Sequence, residues 1–127
     1  MLCTPMSALK KILILEDDEE SRSLYEEILH DENFTTIGVQ DGKAALDYLD
    51  REDVLPDIIV MDLTFPKMSA EEFVNSLKSN KRYKHIPLLV ISGHVDTREQ
   101  ATALQANGYL RKPFDIDQLI SSINKAL

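Results

Sequence analysis

Four short runs of this sequence carry residue types that could do chemistry together. Glu16-Asp17-Asp18 follows one apolar run, Asp62 ends a second, Ser92-Gly93 ends a third, and Lys112-Pro113 follows a shorter one. Carboxylates gathered in one pocket repel, and each raises its neighbours' pKa. A hard divalent cation relieves that repulsion. Carboxylate and carbonyl oxygens suit Mg²⁺, which keeps several of its waters. Mg²⁺ also binds phosphate oxygens, and an ammonium and a hydroxyl add donors to the same oxygens. One carboxylate left free to attack phosphorus would complete a phosphoryl-accepting site.

That chemistry requires the four runs to converge, so the elements that carry them decide the matter. Residues 11–16 read as a buried strand, an Ile-Leu-Ile-Leu run stopped by acids. Asp18 or a neighbour caps the helix that follows, with Leu24 and Ile28 expected on its inward face and Leu29 flanking them. A second, less apolar strand spans residues 35–39, and a helix over 42–51 turns Ala45 and Leu49 inward. Residues 57–62 form a third strand, and Ser69 caps a helix bearing Phe73, Val74 and Leu77. A fourth strand covers 87–92, a short helix 97–106 and a small strand 109–111. Asp115 caps the last helix, whose stripe is Ile116, Leu119, Ile120, Ile123 and Leu127.

Five strands alternating with five helices predict a parallel sheet covered on both faces, an α/β, flavodoxin-like, doubly wound fold. Such sheets place ligands at the carboxyl ends of their strands. With strand order 2-1-3-4-5, strands one and three are neighbours. The acids at their ends then meet in one pocket, with Ser92 and Lys112 arriving from the other side.

Composition narrows the alternatives. A chain of 127 residues, 43% apolar and 28% charged, suits one globular domain that needs no disulfide or structural metal to fold. No apolar stretch approaches the roughly 20 residues of a membrane span, and residues 1–11 lack the apolar centre of a secretory signal. Cys3 is the single cysteine, so the expected compartment is a reducing cytoplasm. With 22 acidic residues against 14 basic ones, direct nucleic-acid binding is disfavoured.

The four runs, in order, are Leu15-Glu16-Asp17-Asp18, Met61-Asp62-Leu63-Thr64-Phe65-Pro66-Lys67-Met68, Val90-Ile91-Ser92-Gly93 and Tyr109-Leu110-Arg111-Lys112-Pro113-Phe114. Each is weak alone. Four in sequence, each at the end of a predicted strand, resemble the successive signatures of response-regulator receivers in two-component signalling. The resemblance covers about residues 10–127, leaving 1–9 as an N-terminal extension.

The resemblance implies a role for each residue. Asp62 would be the phosphoacceptor. Mg²⁺ would be held by Asp17, by Asp62, by Glu16 through a water and by the backbone carbonyl of Thr64. Lys112 would pair with Asp62 and then with the phosphoryl group. Ser92 would donate its hydroxyl to that group, with Tyr109 becoming buried in its wake, and the Lys112-Pro113 bond would be cis. A sensor histidine kinase or histidine phosphotransferase would supply the phosphoryl group, and a downstream protein target would receive the signal.

Some positions depart from the family's pattern. Phe65 stands where methionine is common, Ala70 where glycine is common, and Gln105 where glycine is frequent before Tyr109. Thr64 and His94 occupy the two positions that tune hydrolysis of the acyl phosphate. Other functions fit less well. An aspartyl phosphatase of the haloacid-dehalogenase type wants a second Asp two residues after the first, and Thr64 stands there. A flavodoxin-like cofactor carrier would need a glycine- or hydroxyl-rich loop after the first strand. A degenerate receiver that only docks partners would not need the full set Glu16, Asp17, Asp62, Ser92 and Lys112.

Overall fold

A computed structural model describes residues 9–63 and 69–127; Thr64, Phe65, Pro66, Lys67 and Met68 lie outside the described residues. The elements are β1 (Lys11–Leu15), α1 (Glu19–Asp31), β2 (Thr35–Val39), α2 (Gly42–Arg51), β3 (Ile58–Asp62), α3 (Ala70–Lys78), β4 (Leu88–Ser92), α4 (Thr97–Ala103), β5 (Gly108–Arg111) and α5 (Ile116–Ala126). The five strands form one parallel sheet in the expected order β2-β1-β3-β4-β5.

Alternation along each strand divides the core between the two faces, because successive side chains point to opposite sides. Leu13, Leu15, Ile59, Met61, Leu88 and Val90 pack with α2, α3 and α4, around Leu49, Phe73, Leu77 and Leu104. Ile12, Ile14, Ile58, Val60, Leu89 and Ile91 pack with α1 and α5, around Tyr25, Leu29, Leu119 and Ile123. β3 and β4 are buried throughout. Covering both faces of these strands therefore explains their unbroken apolar sequences.

The capping expectations hold. Asp18, Ser69 and Asp115 each accept a backbone N–H from the first turn of their helix, and Asp115 adds a reciprocal bond with Gln118. The inward face of α1 is different from the one expected. Leu24 is 54% exposed, while Tyr25 and Leu29 are buried and Ile28 is half-buried. Leu29 fixes the buried stripe, and one turn back from it lies Tyr25, not Leu24. The stripe of α5 is also shorter than expected, since Ile116 and Leu127 are exposed. α4 ends at Ala103, three residues before the predicted end.

Candidate functional site

Strand register brings the chemistry together. Leu15 pairs with Met61, so Glu16, the next residue, lies beside Asp62 at the carboxyl ends of β1 and β3. Asp62 pairs with Ile91 and Ser92 with Arg111, which sets Ser92 and Lys112 on the other side of Asp62. The Lys112 amide donates to the Ser92 carbonyl at 2.8 Å, closing the ladder beyond β5. The Lys112-Pro113 bond is cis, as expected.

Asp62 is buried at 2% exposure, and Lys112 Nζ lies 2.6 Å from its Oδ2. Burial pulls the Lys112 pKa down, but the hydrogen bond it donates to Asp62 and the negative charges of Asp62 and Glu16 outweigh it, so the net shift is upward. Glu16 is equally buried, and its pKa is pushed up to about 8. Burial is the main cause. The Asp18 backbone N–H bond at 3.1 Å opposes it, and interactions with the carboxyls of Asp62 and Asp17 reinforce it. Asp17 itself is exposed. Among the described residues no three carboxylate, imidazole or thiol groups form a ready-made metal cage. Thr64, the expected carbonyl ligand, lies outside them.

Ser92 is fully buried, and its Oγ accepts the His94 backbone N–H at 3.0 Å while lying 3.5 Å from Gln100 Oε1. Thr97, buried at the start of α4, donates to the His94 carbonyl and pins the same loop. Tyr109 is 46% exposed on β5. The structure therefore gathers Glu16, Asp62, Ser92 and Lys112, with Asp17 at the rim and Tyr109 directed outward.

A sequence model of the response regulator receiver domain matches residues 12–124, nearly the whole chain. The chain belongs to the response regulator receiver family. Among curated relatives, this receiver is 29% identical to the polar-differentiation response regulator DivK of Brucella ovis, over 93% of this chain and 96% of that protein. It is 28% identical to regulatory protein AtoC of Escherichia coli, of which it spans 26%. Among solved structures it superimposes on the chemotaxis response regulator CheY4 of Vibrio cholerae with a TM-score of 0.85 at 25% identity, covering 94% of this chain and 100% of that one. It matches the receiver domain of sensor histidine kinase PA1611 from Pseudomonas aeruginosa, a structure with a magnesium ion coordinated in its active-site cleft, with a TM-score of 0.82 at 23% identity over 94% of this chain and 98% of that one. The receiver's function is that of its family: it is a signalling phosphoacceptor of two-component systems.

Two residues near this receiver's site were missed by sequence reasoning. Tyr25 stacks on Phe114, ring centroids 6.2 Å apart and planes 21° apart. Its phenol pKa is pushed up to about 12, chiefly by burial, with Lys112 opposing and Asp62 and Glu16 reinforcing. Arg22 Nη1 donates to the Glu16 carbonyl at 3.0 Å. The helical period back from Leu29 could have found Tyr25. A bond to a backbone carbonyl, by contrast, leaves no mark in residue type.

Proposed function

We propose that Asp62 is the phosphoacceptor, taking its phosphoryl group from a phosphohistidine on a sensor histidine kinase or a histidine phosphotransferase. A carboxylate oxygen of Asp62 forms the bond to phosphorus as the bond from phosphorus to the histidine nitrogen breaks. The product is an acyl phosphate, and the imidazole leaves with its electron pair. Buried Asp62 ion-paired to Lys112 at 2.6 Å is the observation that carries this reading. The ammonium sets a compensating positive charge against the buried carboxylate, and the same ammonium then lies beside the incoming phosphoryl oxygens.

The residues also fit Mg²⁺. Buried Glu16, pushed up to about 8 beside two further acids, is a group that a cation would stabilise in its charged form. Asp17 and Asp62, with Glu16 through a water and the Thr64 carbonyl, would hold the ion. When bound, it offsets the negative charge of the phosphoryl oxygens as they approach the acids.

Phosphorylation gives Ser92 a new acceptor in place of its present contacts with His94 and Gln100. Turning toward it, Ser92 vacates space that Tyr109 fills, which changes the face around β5 read by a downstream protein target. The reaction is a self-assisted transfer onto the protein, so the chain works as a signalling phosphoacceptor and not as a turnover enzyme. Among the described residues no helix is long and apolar enough to cross a membrane, and a cytoplasmic location fits partners of this kind.

Acetyl phosphate with Mg²⁺ tests the proposal. Intact-mass measurement is expected to show one added phosphoryl group, lost in Asp62→Asn and lost in wild type with chelator. Full labelling of Asp62→Asn would place the acceptor elsewhere, and full labelling in chelator would remove the metal from the account.

A further inference from the structure

We infer that Arg22 is a positioning residue for the acidic loop, and that Gly38 exists to give it room. Glu16 is held at three points. Its backbone N–H donates to the Val39 carbonyl at 3.1 Å, its Oε2 accepts the Asp18 backbone N–H at 3.1 Å, and its carbonyl accepts from Arg22 Nη1 at 3.0 Å. The first two bonds lie within the strand end and the loop. The third is the one that ties this backbone to α1 through a side chain, and a guanidinium makes it charge-assisted and directional.

To reach that carbonyl, the stem of Arg22 crosses β2 at Gly38. A Cβ on Gly38 would stand 3.0 Å from both Cγ and Cδ of Arg22, and closer still to the carboxylate of Glu26 one helical turn on. The flexible end of Glu26 can move aside cheaply. The Arg22 stem cannot shift without carrying its guanidinium off the Glu16 carbonyl. Gly38 sits mid-strand with an ordinary negative φ. Its lack of a side chain therefore serves close approach and not a turn.

The inference rests on the proposed Mg²⁺ site, and charge and geometry make opposite demands there. Arg22 is a cation near a cation site, so by Coulomb's law alone its removal would tighten Mg²⁺ binding. As a positioning residue, its removal frees the Glu16-Asp17 backbone and weakens binding. Residues that orient ligands from behind commonly contribute tenfold or more to metal affinity, and a single backbone tie belongs at the low end of that range.

Calorimetric titration of the full chain with Mg²⁺ alone decides between them, with thermal melts as a control for folding. Arg22→Met is expected to weaken Mg²⁺ binding roughly fivefold to tenfold, and Arg22→Lys, which keeps the charge and loses the fork, is expected to fall between. Gly38→Val, with Gly38→Ala as the milder variant, is expected to weaken binding in wild type and to change nothing further in Arg22→Met. Unchanged or tighter binding in Arg22→Met overturns the inference, as does a Gly38→Val effect that persists undiminished in Arg22→Met. No Mg²⁺ binding by the wild type would overturn the metal site itself, a result distinct from either.

Discussion

The Lys112–Asp62 pair lies at 2.6 Å with Asp62 almost fully buried and Lys112 only partly so. An ammonium in that place adds nothing favourable to a nearby Mg²⁺, so its contribution should appear in the transfer step, as charge gathers on the phosphoryl oxygens, and in the product that follows. Lys112→Ala is expected to cut the rate of labelling by acetyl phosphate about tenfold, which is about 1.4 kcal/mol of barrier and in line with a charge-assisted bond. Mg²⁺ affinity should change far less than in Asp17→Ala. A loss of metal affinity as severe as that of Asp17→Ala would contradict the role. Glu16 adds a pH signature. Its pKa rises from an ordinary 4.5 to about 8, so the folded state holds a proton that the unfolded state releases earlier. The associated stability is fully present below about 4.5 and is lost as pH climbs toward 8. Without metal, Glu16→Gln should therefore gain stability over wild type steadily from pH 5 to pH 8, as urea titrations at several pH values would show. A constant difference across that window would argue against the shift. These acids, with Ser92 and Lys112, were legible in the sequence because each sits at the end of an apolar run. Thr64, expected to tune hydrolysis of the acyl phosphate, falls outside the described residues, and Arg22 left no pattern to find.

At the level of elements, helix ends account for most agreements and one instructive strain. α1 closes with Asn33 at φ 68, while the Phe34 amide reaches back to the Leu29 carbonyl and the Asn33 amide to His30. α4 closes the same way, with Gln105 at φ 57, Ala106 bonded to Ala101 and Gln105 to Thr102. This closure favours glycine, or asparagine as second choice, at the left-handed position. Gln105, flagged in the sequence as standing where glycine is frequent, takes that conformation with a full side chain. Gln105→Gly is expected to stabilise the fold by about 1 kcal/mol, raising the urea midpoint without changing the slope. A lower midpoint would show that the side chain contributes more than its backbone costs. The same residue shows why the end of α4 was misplaced, since a non-glycine closure gives no stop signal. α1 was misread for another reason. Leu24 and Tyr25 are adjacent and both carry large apolar surface, and the helical period back from buried Leu29 selects Tyr25, whose ring then stacks on Phe114.

Across the whole molecule, the strand order was legible because alternating strands and helices with apolar central strands admit few topologies. The site followed from that order: once β1 lies beside β3, Glu16 must flank Asp62. The present contact of Ser92 was not legible, because residue type does not dictate that its Oγ accepts the His94 backbone N–H; its proposed turn toward a phosphoryl group depends on state. The central claim is that one carboxylate among 22 acidic residues accepts the phosphoryl group. The most direct test labels the wild type with acetyl phosphate and Mg²⁺, then reduces it with borohydride, which converts an aspartyl phosphate to homoserine. Peptide sequencing by mass spectrometry should find homoserine at position 62 and nowhere else. Homoserine at position 17, or no conversion at position 62 in protein that carries the added phosphoryl mass, would contradict the account.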